Sequence, residues 1–397
     1  MEERIELVAT CLFGLEKFLG EEIDSLGYER ILTMDGRVIF SGPVSAIARC
    51  NLWLRFAERV LIRMGSFPAA SFEELFQGVR ALPWERWIGP DDAFPVKGHA
   101  VRSALKSIPD CQSIVKKAVV ERLGREYGIN WFSEEGTRMQ IEFFILNDTA
   151  DLLIDTSGAP LYKRGYRKKA GEAPIRETLA AAMCRIARPR EDVLFWDPFC
   201  GSGTIPIEAT LMMNRIAPGS FRSFLGEEFL DLPESIWRQA RQEAQDLRIR
   251  SGFEAYGSDI DPAMVELAKE NAASAGVLDQ IRFFPKNALG LETQGRRGTV
   301  VCNPPYGERM DSREEAHRLY SAMGAHWKNL DRWQIYVITS DEEFQRHYGR
   351  RADQIRKLYN GMLKCFYYQF YKPQNEFERT FHDSKNHGFK KKERTIK

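Results

Sequence analysis

The sequence predicts an α/β protein in which a large C-terminal unit follows smaller α+β units. Three observations predict it. From about Ala173 onward, apolar stretches of strand and helix type alternate, and such alternation builds a parallel sheet with helices on both faces. Before that point short strands and helices follow one another in a β-α-β-β-α-β-like order, which suits a compact α+β unit. The chain has 397 residues, more than one hydrophobic core usually serves, so two or three domains are expected.

Residues 4–10 read as a strand. Leu12, Leu15, Phe18, Leu19 and Ile23 then recur at helical spacing, and Gly27 marks the stop. Residues 37–40 form a strand after the Asp35-Gly36 turn, 43–56 a helix and 60–64 a strand. This unit, residues 1–60, is of ferredoxin type by its order. A second unit, residues 61–156, opens with a helix at Phe72 capped by Ser71. A strand at 94–101, a helix at 111–125 with Ile114, Ala118 and Leu123 on one face, and strands at 139–146 and 151–155 follow. Asn147-Asp148 supplies the turn between the last two.

Farther on the pattern gives helices at 175–187, 204–214, 233–250, 262–275 and 313–329. The strands fall at 192–196, 253–258, 281–285, 298–302 and 333–339. Arg215 to Glu228 has the character of an insertion, and 383–397 that of a mobile basic tail.

Hydrophobic residues make up 43% and charged residues 28%, the composition of a soluble globular protein. Met1-Glu2-Glu3-Arg4 opens no signal core and no apolar run reaches membrane-spanning length. Seven scattered cysteines without a CxxC pair fit a reducing cytoplasm and argue against disulfides or zinc. Six histidines without HxxxH or HxH spacing give no reason to expect a metal centre. Net charge is only +1, yet Lys163, Arg164, Arg167, Lys168 and Lys169 cluster, as do Lys390, Lys391, Lys392, Arg394 and Lys397. Local basic clusters in a near-neutral chain point to a polyanion partner; a solvated linker and tail is the plainer alternative.

Two segments carry the chemistry. In Asp197-Pro198-Phe199-Cys200-Gly201-Ser202-Gly203-Thr204 a strand ends at Asp197 and runs through a Gly turn into a helix. Ligands of open α/β sheets bind at such strand ends, and glycines permit close backbone approach. A dinucleotide fingerprint is disfavoured: Pro206 stands at the third glycine of GxGxxG, and the next acidic strand end, Asp259, lies far beyond the usual spacing of about twenty residues. Asp259 can accept both hydroxyls of a ribose, while Asp261-Pro262 reads as a helix cap followed by Pro at N1. Asp259 has no such local duty in the sequence. Asn287 falls at the next strand end, where its amide can meet an adenine edge or simply make a turn. Asn303-Pro304-Pro305-Tyr306 follows a buried-type strand. An aromatic amine is a poor nucleophile until hydrogen bonds aim its lone pair. The Asn303 side-chain oxygen and the Pro304 carbonyl are suited to do so. Pro304 and Pro305 stiffen the loop, and Tyr306 offers a stacking face.

These two segments together resemble the S-adenosylmethionine-dependent amino-methyltransferases. Ser157 to Arg167 is similar to the junction of the THUMP-containing RNA methyltransferases, and Ala173 to Ala180 to their cofactor-capping helix. Residues 60–155, with Ser103-Ala104-Leu105-Lys106-Ser107 and the Gln112 to Arg122 helix, resemble a THUMP module. The nearest resemblance is to the bacterial large-subunit rRNA guanine-N2 methyltransferases, and it covers residues 1–382. It implies a Rossmann-like methyltransferase domain at 157–382 behind N-terminal ferredoxin-like (1–60) and THUMP (61–156) domains, with 383–397 a basic tail.

Carried across, Asp197, Gly201, Gly203 and Thr178 line the methionine end of S-adenosyl-L-methionine, Asp259 its ribose and Asn287 its adenine. Relatives often have Asp where Asn287 stands. Asn303, Pro304, Pro305 and Tyr306 receive the base, and Lys163, Arg164, Arg167, Lys168 and Lys169 grip RNA phosphates. The implied partner is 23S rRNA or a ribosome precursor, with no membrane and no metal, and Cys200 and Cys302 are structural. A tRNA guanine-N2 methyltransferase, a DNA amino-methyltransferase and a non-catalytic RNA-binding assembly factor are the alternatives.

Overall fold

The computed structural model describes residues 3–371, apart from 168–174, 231, 294, 306–312 and 331. They form two compact units: Met1–Gly165 with Arg215–Ile249, and Tyr166–Asn214 with Arg250 onward.

The first unit begins β1 (Arg4–Cys11), α1 (Glu16–Ser25), β2 (Glu29–Met34), β3 (Arg37–Pro43), α2 (Ala46–Trp53) and β4 (Ala57–Pro68). It continues α3 (Phe72–Ala81), β5 (Val96–Val101), α4 (Ile108–Tyr127), β6 (Ile141–Leu146) and β7 (Thr149–Asp155). The strands make one seven-stranded sheet in the order β2-β3-β1-β4-β7-β6-β5. Its centre is the 12-residue β4, which pairs with β1 through its first half and β7 through its second, with a register shift between Arg63 and Gly65. The expected boundary at residue 60 thus falls inside a strand that the two small units share. Ser71 caps α3 as its sequence predicts: its hydroxyl accepts from Glu74 N (3.2 Å) while the Glu74 carboxylate accepts from Ser71 N (3.2 Å).

The chain then enters the second unit with α5 (Glu177–Ala187), β8 (Leu194–Asp197) and α6 (Thr204–Met213). It returns to the first unit with α7 (Glu234–Asp246), which packs on α2. There the Glu243 carboxylate accepts from Arg49 through a two-pronged pair (2.8 Å each). The remainder belongs to the second unit: β9 (Ala255–Asp259), α8 (Pro262–Ser274), β10 (Ile281–Pro285), β11 (Gly298–Cys302), α9 (Arg313–Trp327), β12 (Trp333–Thr339), α10 (Phe344–Tyr348), β13 (Gln354–Asn360) and β14 (Leu363–Phe370).

This second sheet has the order β10-β9-β8-β11-β12-β14-β13. The first five strands are parallel, and β14 runs antiparallel between β12 and β13. Val300, Cys302, Tyr320, Met323 and Val337 are fully buried between the sheet and α9. The spans expected for β10, β11 and β12 coincide with the observed strands. Among the described residues no helix is long and apolar enough to cross a membrane.

Candidate methyl-transfer site

The order of the second sheet sets the site. β8 lies between β9 and β11, and all three run parallel, with Asp197 opposite Gly257 and Trp196 opposite Val300. The Gly turn, Asp259 and Asn303 therefore leave the sheet at one edge. Chain order reverses there, β9 lying to one side of β8 and β11 to the other, which is where open α/β sheets hold ligands.

The turn is built from positive φ angles, +49° at Gly201 and +82° at Gly203. A Cβ on Gly203 would lie 3.0 Å from Ala268 Cβ and 3.2 Å from the Phe283 ring, so both packing and backbone demand glycine. A Cβ on Gly201 would meet no heavy atom within 4 Å. That open space fits the approach of a ligand to the backbone. From α8, the buried Asn271 amide donates to Ser202 O (3.0 Å) and pins the turn. Asn271 sits on a helix far along the chain, and nothing near it in sequence marks this duty.

Asp259 is busier than its sequence suggests. One carboxylate oxygen accepts from Gly201 N and the other from Asp261 N, both at 3.0 Å. The expectation of a carboxylate without local duty is corrected: Asp259 ties the Gly turn to the start of α8. A carboxylate has about four lone-pair sites, so acceptor capacity remains for a ribose. Asp261 caps α8 through Ala263 N (2.8 Å), with Pro262 at N1. Beside them Ile260 is 73% exposed, a large apolar side chain at the strand end that could cover a base. Asn287 is exposed, and its side-chain oxygen accepts from Leu289 N (2.9 Å) to start a short turn.

Asp197 is almost wholly buried and accepts from Phe199 N (3.0 Å). Burial holds its carboxyl well above the usual carboxylate range, the Phe199 N–H works against that rise, and the charge of Asp259 adds to it. Two carboxyl groups at neighbouring strand ends favour a cationic ligand. Burial likewise pushes up the thiols of Cys200 and Cys302, with the charge of Asp197 adding in both. They stay protonated, which suits structural roles rather than nucleophilic ones.

Asn303 is half-buried, Pro304 buried and Pro305 exposed at the end of β11; Tyr306 lies outside the described residues. The Pro305 carbonyl accepts from the Tyr320 hydroxyl (3.2 Å). Tyr320 Oη in turn lies 3.0 Å from Thr339 Oγ1, which accepts from Asp341 N (3.1 Å). With Tyr320 donating to the loop, Thr339 donates to Tyr320, and the chain of donors runs one way from the end of β12 to the proline loop. In sequence Tyr320 reads only as a core residue of α9.

Three of the predicted residues need correction. Arg164 is buried, donating to Leu161 O (2.9 Å) and Arg55 O (2.6 Å), so it holds the backbone of the first unit and cannot grip a phosphate. Arg167 pairs with the buried Glu177 (2.8 Å) and donates to Thr204 Oγ1 (3.2 Å), tying the first turn of α5 to that of α6. Thr178 is fully buried, with no surface open to a ligand. Lys163 is exposed; Lys168 and Lys169 lie outside the described residues.

Comparison with known proteins agrees with this architecture. Residues 164–369 match the family described as RMKL-like, methyltransferase domain; residues 6–61 match the RlmL ferredoxin-like domain and 69–155 the THUMP domain. The chain is 42% identical over 372 residues to the Bacillus subtilis protein named "Putative RNA methyltransferase YpsC", covering 93% of this chain and 96% of that one. It is 32% identical over 361 residues to the ribosomal RNA large subunit methyltransferase K/L of Psychromonas ingrahamii, covering 89% of this chain. It spans 48% of that longer protein. A solved structure of SMU.472, titled "a putative methyltransferase complexed with SAH", superposes with a TM-score of 0.86 at 40% identity, covering 94% of this chain and 99% of that one. With a matching catalytic domain over half its length and a full-length relative, the chain belongs to the RMKL-like methyltransferase family, whose members use S-adenosyl-L-methionine, and it carries an RlmL-type ferredoxin-like domain and a THUMP domain.

Proposed function

We propose that the protein methylates the exocyclic N2 of a guanine in large-subunit (23S) ribosomal RNA. The observation that carries this reading is the Asn303-Pro304-Pro305 loop beside the Gly turn, with its Pro305 carbonyl anchored by Tyr320. S-adenosyl-L-methionine, when bound, supplies an electrophilic methyl on a positive sulfonium. The residues present suit it: open space at Gly201, and carboxyl groups at Asp197 and Asp259 for its cationic and ribose parts. We assign the adenine to the Asn287 amide nitrogen, whose oxygen is already engaged by Leu289 N, and to the exposed Ile260 side chain. The Asn303 side-chain oxygen and the Pro304 carbonyl accept the two N–H groups of the guanine amine and aim its lone pair. A stiff loop keeps those acceptors in place before substrate arrives, so orientation rather than covalent chemistry lowers the barrier.

The RNA assignment draws on the THUMP domain and on the names of the relatives, and the target base must be unstacked to reach the loop. Methyl-labelled S-adenosyl-L-methionine, offered with 23S rRNA and with precursor particles, tests the assignment. Label in N2-methylguanosine is expected; label in N6-methyladenine, in tRNA or in DNA would sink it.

Asp259→Ala should weaken S-adenosyl-L-methionine binding by about 1.5–3 kcal/mol, the range for a lost charged hydrogen bond. Calorimetry on a folded variant reads it, and unchanged affinity removes Asp259 from the ribose. Neutralising Lys163, Lys168 and Lys169 together should lower the log–log salt slope of RNA binding by about 0.7–0.9 per lost phosphate contact, leaving cofactor affinity alone. A slope equal to wild type makes the cluster a solvated linker. Arg164 is left out because its substitution would unsettle the first unit.

A further inference from the structure

We propose that His317, Glu343 and His347 form a binding site for a transition-metal dication of the zinc class. His317 lies on α9, while Glu343 and His347 flank one turn at α10. One ligand-capable atom from each lies within 4.8 Å of the others. Spacing rules along the chain could not bring them together, because His317 is remote in sequence from the other two. The packing of α9 on α10 does so.

A second observation organises the cluster. The Asp341 carboxylate is 5% exposed; one oxygen lies 2.8 Å from His317 Nε2 and the other accepts from Glu343 N (2.8 Å). One buried carboxylate thus positions two of the three ligands. In its neutral form the His317 ring can donate from Nε2 to the Asp341 oxygen and keep the Nδ1 lone pair for an ion. A carboxylate behind a histidine is the arrangement that orients metal-bound imidazoles and raises their basicity.

The His317 and His347 rings stack with centroids 3.7 Å apart and 13° between planes. Ligand atoms around a tetrahedral zinc sit roughly 3.3 Å apart, given bonds of about 2.0–2.1 Å. The three side chains therefore have to close in by up to about 1.5 Å and the rings fan apart. Glu343 is free to swing: its pair with Arg346 (3.2 Å) joins two exposed side chains and holds it weakly. Two imidazoles and one carboxylate suit zinc, nickel or copper rather than magnesium or calcium. Asp341 N also starts the donor chain through Thr339 and Tyr320 to Pro305, so an ion here would stiffen the support of the proline loop.

The test uses the full chain without a histidine tag, stripped with chelator and titrated with zinc chloride against a chromophoric competitor. Elemental analysis after gel filtration gives the stoichiometry. One retained zinc per chain is expected. Glu343→Gln and His347→Gln should each weaken binding about tenfold or more, Asp341→Asn by about 10- to 100-fold, and His326→Gln, on the exposed side of α9, not at all. Glu343 is exposed, so its variant tests the site without burdening the fold. Absence of retained zinc, or zinc held equally by the Glu343→Gln and His347→Gln variants, overturns the proposal.

Discussion

Replacing Asn303 with alanine is expected to lower the single-turnover rate of methyl transfer by about a hundredfold or more, as loss of a preorganised catalytic hydrogen bond does. Cofactor affinity should stay close to wild type, because the side-chain oxygen is assigned to the incoming amine. RNA affinity should fall only modestly. Asn303 is half-buried at a strand end and Pro304 and Pro305 hold the loop, so thermal unfolding should scarcely change. An interaction that matters only when the reacting atoms align lowers the rate and not the ground-state affinity. Quench-flow with saturating cofactor and RNA reads the rate directly. A rate within a fewfold of wild type would return the loop to the role of a rigid turn.

The second large effect is expected at Asp197, and it has opposite signs in binding and stability. Its carboxyl is held above the usual range by burial, helped by Asp259. A carboxyl group whose pKa is raised on folding gives the folded state its full contribution below the unfolded pKa, about 4. That contribution is lost as pH climbs through the raised native value. The ligand-free protein should therefore carry a growing penalty from Asp197 toward neutral and alkaline pH. Asp197→Asn removes the charge and keeps an oxygen for Phe199 N. Without ligand, the variant should match or exceed wild type in Tm at pH 8 and show a flatter pH profile. Its affinity for S-adenosyl-L-methionine should drop by about 1.5–3 kcal/mol, since a cationic ligand loses its charged partner. Scanning fluorimetry from pH 5 to 9 and calorimetry together decide it. A variant less stable at pH 8 with unaltered affinity would refute both halves.

Legibility in the sequence followed burial. β11 is buried at every residue and β12 at all but one, and continuous apolar runs gave their limits. β2 is not legible because nearly all its residues are exposed, which leaves no alternation to read. The β13–β14 hairpin carries a local signal only at its turn, where Asn360-Gly361 stands and Gly361 takes φ +67°. In the site, the Gly turn, Asp259 and the Asn-Pro-Pro loop announce themselves because the motif and its strand end are contiguous. Asn271 and Tyr320 do not, since each acts across 69 and 15 positions of chain respectively. The basic run misled for a related reason. Counting charges along a segment cannot tell the exposed Lys163 from Arg164, which turns inward onto carbonyls one residue later.

The return of residues 215–249 to the first unit has a consequence for synthesis. A ribosome releases β1 through β7 long before α7, and β8 and α6 emerge in between. Until then the face of α2 that receives α7 stays open, Arg49 waits for Glu243, and the Arg55 guanidinium waits for Ile216 O (2.6 Å). The N-terminal unit thus cannot finish folding in the order in which it is translated. A fragment stopped at Gly165 would carry the same defect permanently; joining Gly165 to Arg215 through a short linker and ending at Ile249 keeps the unit's own helix with it.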